Sequence, residues 1–393
     1  MDLNFSPDDD AFRQEVRAFI RDHYPPEMRV ANPYTDLIKQ QMLLWHRILH
    51  KKGWIAASWP REFGGTGWSI TQRYIWEQEA AAADTFPPLP FGLTMVGPVI
   101  YTFGNARQRE RFLPPILSGT TGGARATRSR APGLISPACG PARYRMVITT
   151  SSMATRLGRH WRSMQIGYSA WCAQTPIRNG ISFLLIDMRS PGVSVRPIIT
   201  IDGVHEVNDV FLDDVRVPLE NCIGEENRGW DYAKFLLGHE RTSMAGTARS
   251  RRRLAQLKLI AANEVSSGRP LIEDDAFARQ VARLEIELTA LEITELRALS
   301  AASRGEQPGG QASLFKIKGT EIQQRLTELA LEAVGNYALV NRPTLRHGDN
   351  HPLPKPEYSH IVTEEYLNTR KKSIYGGSNE IQRNIIAKAI LGL

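Results

Sequence analysis

The spacing of apolar residues changes period twice along this chain, and no other feature restricts its fold as much. Up to about residue 118 the apolar positions recur at helical intervals. Ser6-Pro7-Asp8-Asp9 opens the first run, with Phe12, Val16, Phe19 and Ile20 behind it. A serine cap, a proline in the first turn and acids beside the positive end of the helix dipole make that a helix start. Further helices are expected over about 36–52, stopped by Gly53, over about 71–83, and from an Asn105 cap through Phe112 toward Leu117. Between them the Gly-, Pro- and Trp-rich stretch 54–67 reads as loop. From Gly180 the pattern becomes that of strands. Ile181–Ile186 is a short apolar run, Val193, Val195 and Pro197 alternate with polar residues, and Val207, Val210, Leu212, Val215 and Val217 follow among turn formers. Helical spacing returns at Trp230 and predicts helices over about 231–265, 274–304, 311–338, 356–371 and 379–391. Helices, then strands, then helices imply an α+β fold with segregated parts, not alternating βαβ units. The expected division is an N-terminal helical domain at 1–119, a middle β-sheet domain at 120–229 and a C-terminal helical bundle at 230–393.

Several function classes lose support from composition. No apolar run approaches the ~18 residues of a membrane span. The start, MDLNFSPDDD, is acidic where a secretory signal would be basic and then apolar. Cys139, Cys172 and Cys222 are too widely spaced for a disulfide framework or a zinc site. A cytoplasmic location and no resident metal are the expectations. The formal net charge of +8 would ordinarily suggest nucleic acid or an anionic membrane. Here eight arginines (125, 128, 130, 143, 145, 156, 159, 162) fall within 121–176, which holds no lysine and no acid, while the rest of the chain balances 41 basic against 41 acidic residues. Ordinary usage would place roughly seven acids in such a stretch. The charge therefore belongs to one compositionally odd block, and no nucleic-acid partner is expected.

The flanks of that block resemble the acyl-CoA dehydrogenase family. Met95-Val-Gly-Pro-Val-Ile-Tyr-Thr-Phe-Gly104 with Gln108-Arg-Glu-Arg-Phe-Leu-Pro-Pro-Ile-Leu-Ser-Gly119 resembles the family's helix pair leading into its β-domain. Phe211-Leu-Asp-Asp-Val-Arg-Val-Pro218, with Asn221, Gly224 and Gly229-Trp230, resembles the exit from that domain. Tyr375-Gly-Gly-Ser-Asn-Glu-Ile-Gln382 is similar to the flavin-contacting turn and last helix. The narrower likeness is to the large-subunit type that acts on dicarboxylyl-CoA esters such as pimeloyl-CoA. The resemblance implies a C-terminal four-helix bundle, FAD as cofactor, an acyl-CoA substrate, an electron-transfer flavoprotein as acceptor, and a homo- or hetero-oligomer, commonly a tetramer.

Two family motifs that face the flavin are missing: a Tyr-Ser-Glu-Pro-Gly loop and an Asn-Gly-x-Lys-x-Trp strand. Both reappear when the codons that could encode 121–176 are read one base earlier. The code alone then forces glycine from Met146-Val147 and Met153-Ala154, alanine from Met164-Gln165 and valine from Trp171-Cys172. With permitted codons elsewhere, 125–134 can read Gly-Tyr-Ser-Glu-Pro-Gly-Ser-Gly-Ser-Asp, and 149–162 can supply Asn-Gly-His-Lys-Thr-Trp. The same frame restores acids and removes the arginine excess. The block therefore reads as frameshifted. As written, the chain is open to a second reading: a catalytically inactive remnant or a non-catalytic assembly subunit.

Dehydrogenation of an acyl thioester needs a carboxylate to take the α-proton and a flavin to accept the β-hydride. The family's usual position for that base falls in the turn Tyr375-Gly376-Gly377-Ser378, which has no carboxylate. Some relatives carry the base on a middle helix before an arginine, and Gly238-His239-Glu240-Arg241 occupies that place. The resemblance thus implies Glu240 as base, with Arg241 on the CoA arm. The plain alternatives are a solvated or ion-paired helix residue and a surface ion pair. Gly377 is implied as a close backbone approach to the thioester, and Ser378, Asn379 and Glu380 as flavin contacts. Ser378 or Asn379 could equally be a simple helix cap. Two departures bear on the cofactor. Val265-Ser266-Ser267 lies where relatives carry an arginine, although Arg269 is near, and Glu332-Ala333-Val334-Gly335-Asn336 replaces a Gln-x-x-Gly-Gly turn. The 251–253 arginine triplet reads as a solvated helix face, and Gly64-Gly65-Thr66-Gly67 as a turn.

Overall fold

The computed structural model describes residues 5–29, 38–89, 91–121, 123–126, 143–148, 168–174, 181–203, 205–213, 215–242, 245–304, 311–339, 356 and 358–392, at some positions by backbone alone. The elements in chain order are α1 (Pro7–His23), α2 (Pro26–Arg29), α3 (Ile38–Lys52), α4 (Ile70–Ala82), α5 (Gly97–Phe103) and α6 (Ala106–Ser118). Then come β1 (Gly123–Ala126), β2 (Arg143–Ile148), β3 (Tyr168–Gln174), β4 (Ile181–Ile186), β5 (Val193–Ile199), β6 (His205–Asp213) and β7 (Cys222–Ile223). The chain continues through α7 (Gly229–Thr242), α8 (Thr247–Asn263), β8 (Val265–Ser266), β9 (Arg269–Pro270), α9 (Asp275–Ser303), α10 (Gln311–Val334), α11 (Ser359–Thr369) and α12 (Asn379–Ile386). Helical, sheet and helical parts follow one another as expected, and the fold is α+β.

Local chemistry sets several helix starts. Ser6, Ser69 and Asn105 each cap a helix through a reciprocal box with Asp9, Gln72 and Gln108. Each such cap stabilises its helix by about 1 kcal/mol. Three boundaries differ from the expectation. The run at 231–265 is broken between α7 and α8, where Gly246 sits at φ +58°. The wider apolar pattern continues across that glycine, so periodicity alone hides the break. The last helix ends at Ile386 and continues as a widened turn at Ala387–Leu391. Gly335, at φ +54°, ends α10 and passes into a 3₁₀ turn at Gly335–Leu339.

The chain forms two units, one comprising 1–29, 68–85 and 241–393, the other 30–67 and 86–240. In the first, α8, α9 and α11 surround α10, and Leu254, Leu257, Phe277, Leu284, Leu288, Ile322, Leu326 and Leu329 form its buried interior. Arginines 251 and 253 do not form a solvated face. Arg251 Nε donates to Glu292 Oε1 at 3.0 Å, across to α9, and Arg253 Nη2 donates to Glu365 Oε1 at 2.7 Å on α11. Such partly exposed pairs fix helix register more than they stabilise.

The second unit carries two sheets, ordered β1-β3-β4-β7 and β2-β6-β5. Among the described strands only β1 and β3 run parallel, while the other pairs are antiparallel. Val210 and Leu212 of β6 are buried with Ile186, and their register partners are Met146 and Val195, and Tyr144 and Val193. Gln108 joins α6 to the sheet edge by donating from Nε2 to the carbonyls of Glu220 (2.8 Å) and Cys222 (2.7 Å). The strands of the odd block thus pair within these sheets, whereas 127–142 and 149–167, which hold nearly all of the two reconstructed motifs, lie outside the described residues.

Also in this unit, His46 is 1% exposed, and its Nε2 lies 2.9 Å from the carbonyl of Leu117 at the end of α6. Gly119 presses on the ring: a Cβ there would stand 2.8 Å from His46 Cδ2. Burial holds the imidazole below its ordinary pKa, outweighing the carbonyl contacts. The folded state therefore resists the proton that the unfolded chain accepts near pH 6.5. Stability from a neutral His46 is present above that pH and falls as pH drops through the lowered folded value. Replacing His46 by Gln should flatten this acid-side loss, measured as urea midpoint against pH between 7.5 and 5. An unchanged slope would contradict the assignment.

Candidate functional site

The best-formed polar assembly among the described residues lies where α10 meets the last turn and α12. Along α10, Ser313, Lys316, Thr320 and Thr327 are all buried at three-, four- and seven-residue intervals, so they share one side of the helix. Burying such groups is costly unless each finds a partner. Lys316 is wholly buried, and its Nζ donates to the carbonyl of Lys372 and to Asn379 Oδ1, both at 2.9 Å. Asn379 Nδ2 donates to Thr320 Oγ1 at 3.2 Å. Ser313 Oγ donates to Gln382 Oε1 at 2.8 Å, and Gln382 Nε2 donates to the carbonyl of Gly377 at 3.3 Å. One turn further along, Gln324 Nε2 donates to the carbonyl of Arg370 at 3.0 Å. The segment 370–382 is thus tied to one face of α10 by a series of polar contacts.

The turn itself is a two-glycine bend. Gly376 and Gly377 have φ of +67° and +85°, the left-handed region that favours glycine. Ser378 then caps α12, accepting from the Ile381 N–H at 3.4 Å. Glu380 stands exposed in the first helical turn. Its own backbone N–H, then the Ser378 hydroxyl, hold its carboxyl below the usual range, and Arg383 and Lys316 add to the effect. Exposed at a helix N-terminus, this ionised carboxylate can accept from hydroxyl or amine donors. The same charge would repel a phosphate at that end.

A Cβ on Gly377 would lie 2.4 Å from Gln382 Nε2. Gly377→Ala therefore meets both a left-handed backbone and a side chain anchored at its far end by Ser313. A loss of about 1–3 kcal/mol in unfolding free energy is expected by urea titration, and a change below about 0.5 kcal/mol, the size of an ordinary surface substitution, would show that the turn relaxes freely.

Of the residues singled out from sequence, Gly377, Ser378, Asn379 and Glu380 come together here. Asn379 is buried as an internal brace, with its side chain turned to Lys316 and Thr320. Glu240 and Arg241 lie in the last turn of α7, described by backbone alone. Arg269 is an exposed residue on β9, just after Ser267 and Gly268 turn the hairpin at φ +52° and +80°. Sequence reasoning missed Lys316, Thr320, Ser313 and Gln382. For the three on α10 the signal was available: Ser313, Lys316 and Thr320 recur at helical spacing, away from the side that Phe315, Ile322, Leu326 and Leu329 turn to the core.

Among the described residues no helix is long and apolar enough to cross a membrane. Residues 6–120 match the family described as acyl-CoA dehydrogenase, N-terminal domain, and 227–391 match acyl-CoA dehydrogenase, C-terminal domain. Acyl-CoA dehydrogenase IpdE1 of Mycolicibacterium smegmatis is 31% identical over 97% of both chains. Its counterpart from Mycobacterium tuberculosis is 29% identical over 98% of both. Among solved structures, the ChsE4-ChsE5 complex from Mycobacterium tuberculosis superposes with a TM-score of 0.77, at 26% identity, over 100% of this chain and 99% of that one.

Proposed function

The chain belongs to the acyl-CoA dehydrogenase family, and from that premise we propose that it removes hydrogen across the α,β-bond of an acyl-CoA thioester with FAD as cofactor. Likeness to IpdE1 over nearly the whole length carries this reading. Glu240 is the proposed base. Its carboxylate takes the α-proton and leaves the electron pair to form the double bond. Bound FAD supplies the acceptor for the β-hydride, so one proton and one hydride leave together. Gly376 stands where a base in the last turn would otherwise be, which leaves that task to α7. Arg241 is proposed to hold the CoA arm, and the Gly377 backbone to lie against the thioester.

The donor set at the last turn fits part of the cofactor. Ser378 and the first N–H groups of α12 can serve the hydroxyl and amide edges of a flavin dinucleotide, and Glu380 can accept from its hydroxyls. The ionised Glu380 assigns the pyrophosphate to other residues, a departure from the usual pairing of helix N-termini with phosphate.

The finer parts of the proposal are a dicarboxylyl-CoA substrate, an electron-transfer flavoprotein as acceptor, a tetrameric homo- or hetero-oligomer, the three domains with limits at 119/120 and 229/230, and a cytoplasmic location. The solved relative described as a ChsE4-ChsE5 complex supports a second subunit. The test is an anaerobic panel of acyl-CoA esters, including glutaryl-, pimeloyl- and plain hexanoyl-CoA, scored by dye reduction. Preference for the diacids would support the dicarboxylyl class; preference for hexanoyl-CoA would remove it. The second reading, a non-catalytic assembly subunit, rests on the composition of 121–176 and requires that no ester be turned over.

A further inference from the structure

We propose that Lys316 is a positioning residue for the cofactor: its buried ammonium, braced by Asn379 and Thr320, sets the placement of the two-glycine turn and the start of α12. The inference rests on the reading that this turn meets FAD. Three observations carry it. Lys316 is wholly enclosed, a rare state for a lysine. Two of its contacts reach across to the last turn: the Lys372 carbonyl ahead of the bend and the Asn379 amide oxygen after it, each at 2.9 Å. The ammonium therefore spans the bend and fixes the distance between its two ends. Thr320 takes the other end of the Asn379 amide at 3.2 Å, so the amide cannot rotate away.

A bend of two left-handed glycines has little stiffness of its own. Without the brace, the groups at Gly377, Ser378 and Glu380 would sample several placements, and cofactor binding would have to select one. That cost appears as weaker affinity. A role limited to fold stability would instead lower the melting temperature and leave affinity unchanged.

The experiment compares the parent chain with Lys316→Met, Asn379→Leu and Thr320→Val. The FAD dissociation constant is read by flavin fluorescence quenching, and the melting temperature is recorded without flavin. The expected result is FAD affinity at least tenfold weaker for Lys316→Met and Asn379→Leu, and about threefold weaker for Thr320→Val, which keeps the side-chain volume. Asn379→Asp, which keeps an acceptor for the ammonium, should stay within threefold of the parent. Affinity within twofold of the parent in all variants, whatever their melting temperatures, would overturn the inference. If Lys316→Met fails to fold, Asn379→Leu against Asn379→Asp decides the matter on the same scale. A parent that binds no FAD would instead overturn the proposed function, and the inference with it.

Discussion

Glu240→Gln is expected to lower kcat for the preferred acyl-CoA by roughly 10²–10⁴-fold, the ordinary contribution of a positioned general base. Glutamine keeps the shape of the side chain and cannot take a proton. Binding of FAD and of the CoA arm does not use that proton, so flavin content and substrate affinity should hold within a few-fold. The effect should therefore fall on kcat. The motive is twofold: the last turn has Gly376 in place of a carboxylate, and the last turn of α7 carries Glu240-Arg241. If Glu240 is only a polar helix residue, kcat will stay within threefold, and the base must be sought elsewhere.

The second large effect concerns 121–176. Replacing that block by its one-base-earlier reading should raise FAD occupancy and turnover together, because the restored Tyr-Ser-Glu-Pro-Gly and Asn-Gly-x-Lys motifs would return to the flavin-facing side of the middle domain. It also removes eight arginines from a stretch that contributes three strands. An arginine at an inward sheet position would bring an unpaired charge out of water, at a cost of several kcal/mol. More soluble and more strongly yellow protein is the expected result, read from the yield and the visible spectrum. Equal occupancy in both forms would show that the block serves the cofactor as written and that the frame reading is wrong. Sequencing the gene across codons 115–180 tests the same point at its source.

The legible and illegible parts of this fold separate for physical reasons. Helices announced by a cap and an apolar stripe, as at Ser6 and Asn105, could be placed within a residue or two, because both signals are local. The break at Gly246 could not, since an isolated glycine in a periodic run is also compatible with an unbroken helix. The widened turn after Ile386 has no composition of its own. In the site, the Tyr375–Gln382 segment was visible through family likeness. Asn379 was expected beside the cofactor, whereas its side chain faces inward to Lys316. What braces that segment was not visible, because Lys316 and Asn379 are 63 residues apart and only the fold joins them. The polar stripe on α10 carried the information, but its meaning depended on knowing what packs against it.

The measurement that tests the central claim most directly is the visible spectrum of the purified protein, recorded anaerobically before and after addition of acyl-CoA esters. The account predicts a bound yellow flavin that bleaches on addition of a preferred ester, at a rate lost in Glu240→Gln. A colourless protein that takes up no FAD, or a flavin that no acyl-CoA bleaches, would contradict it and leave a non-catalytic assembly subunit as the better description.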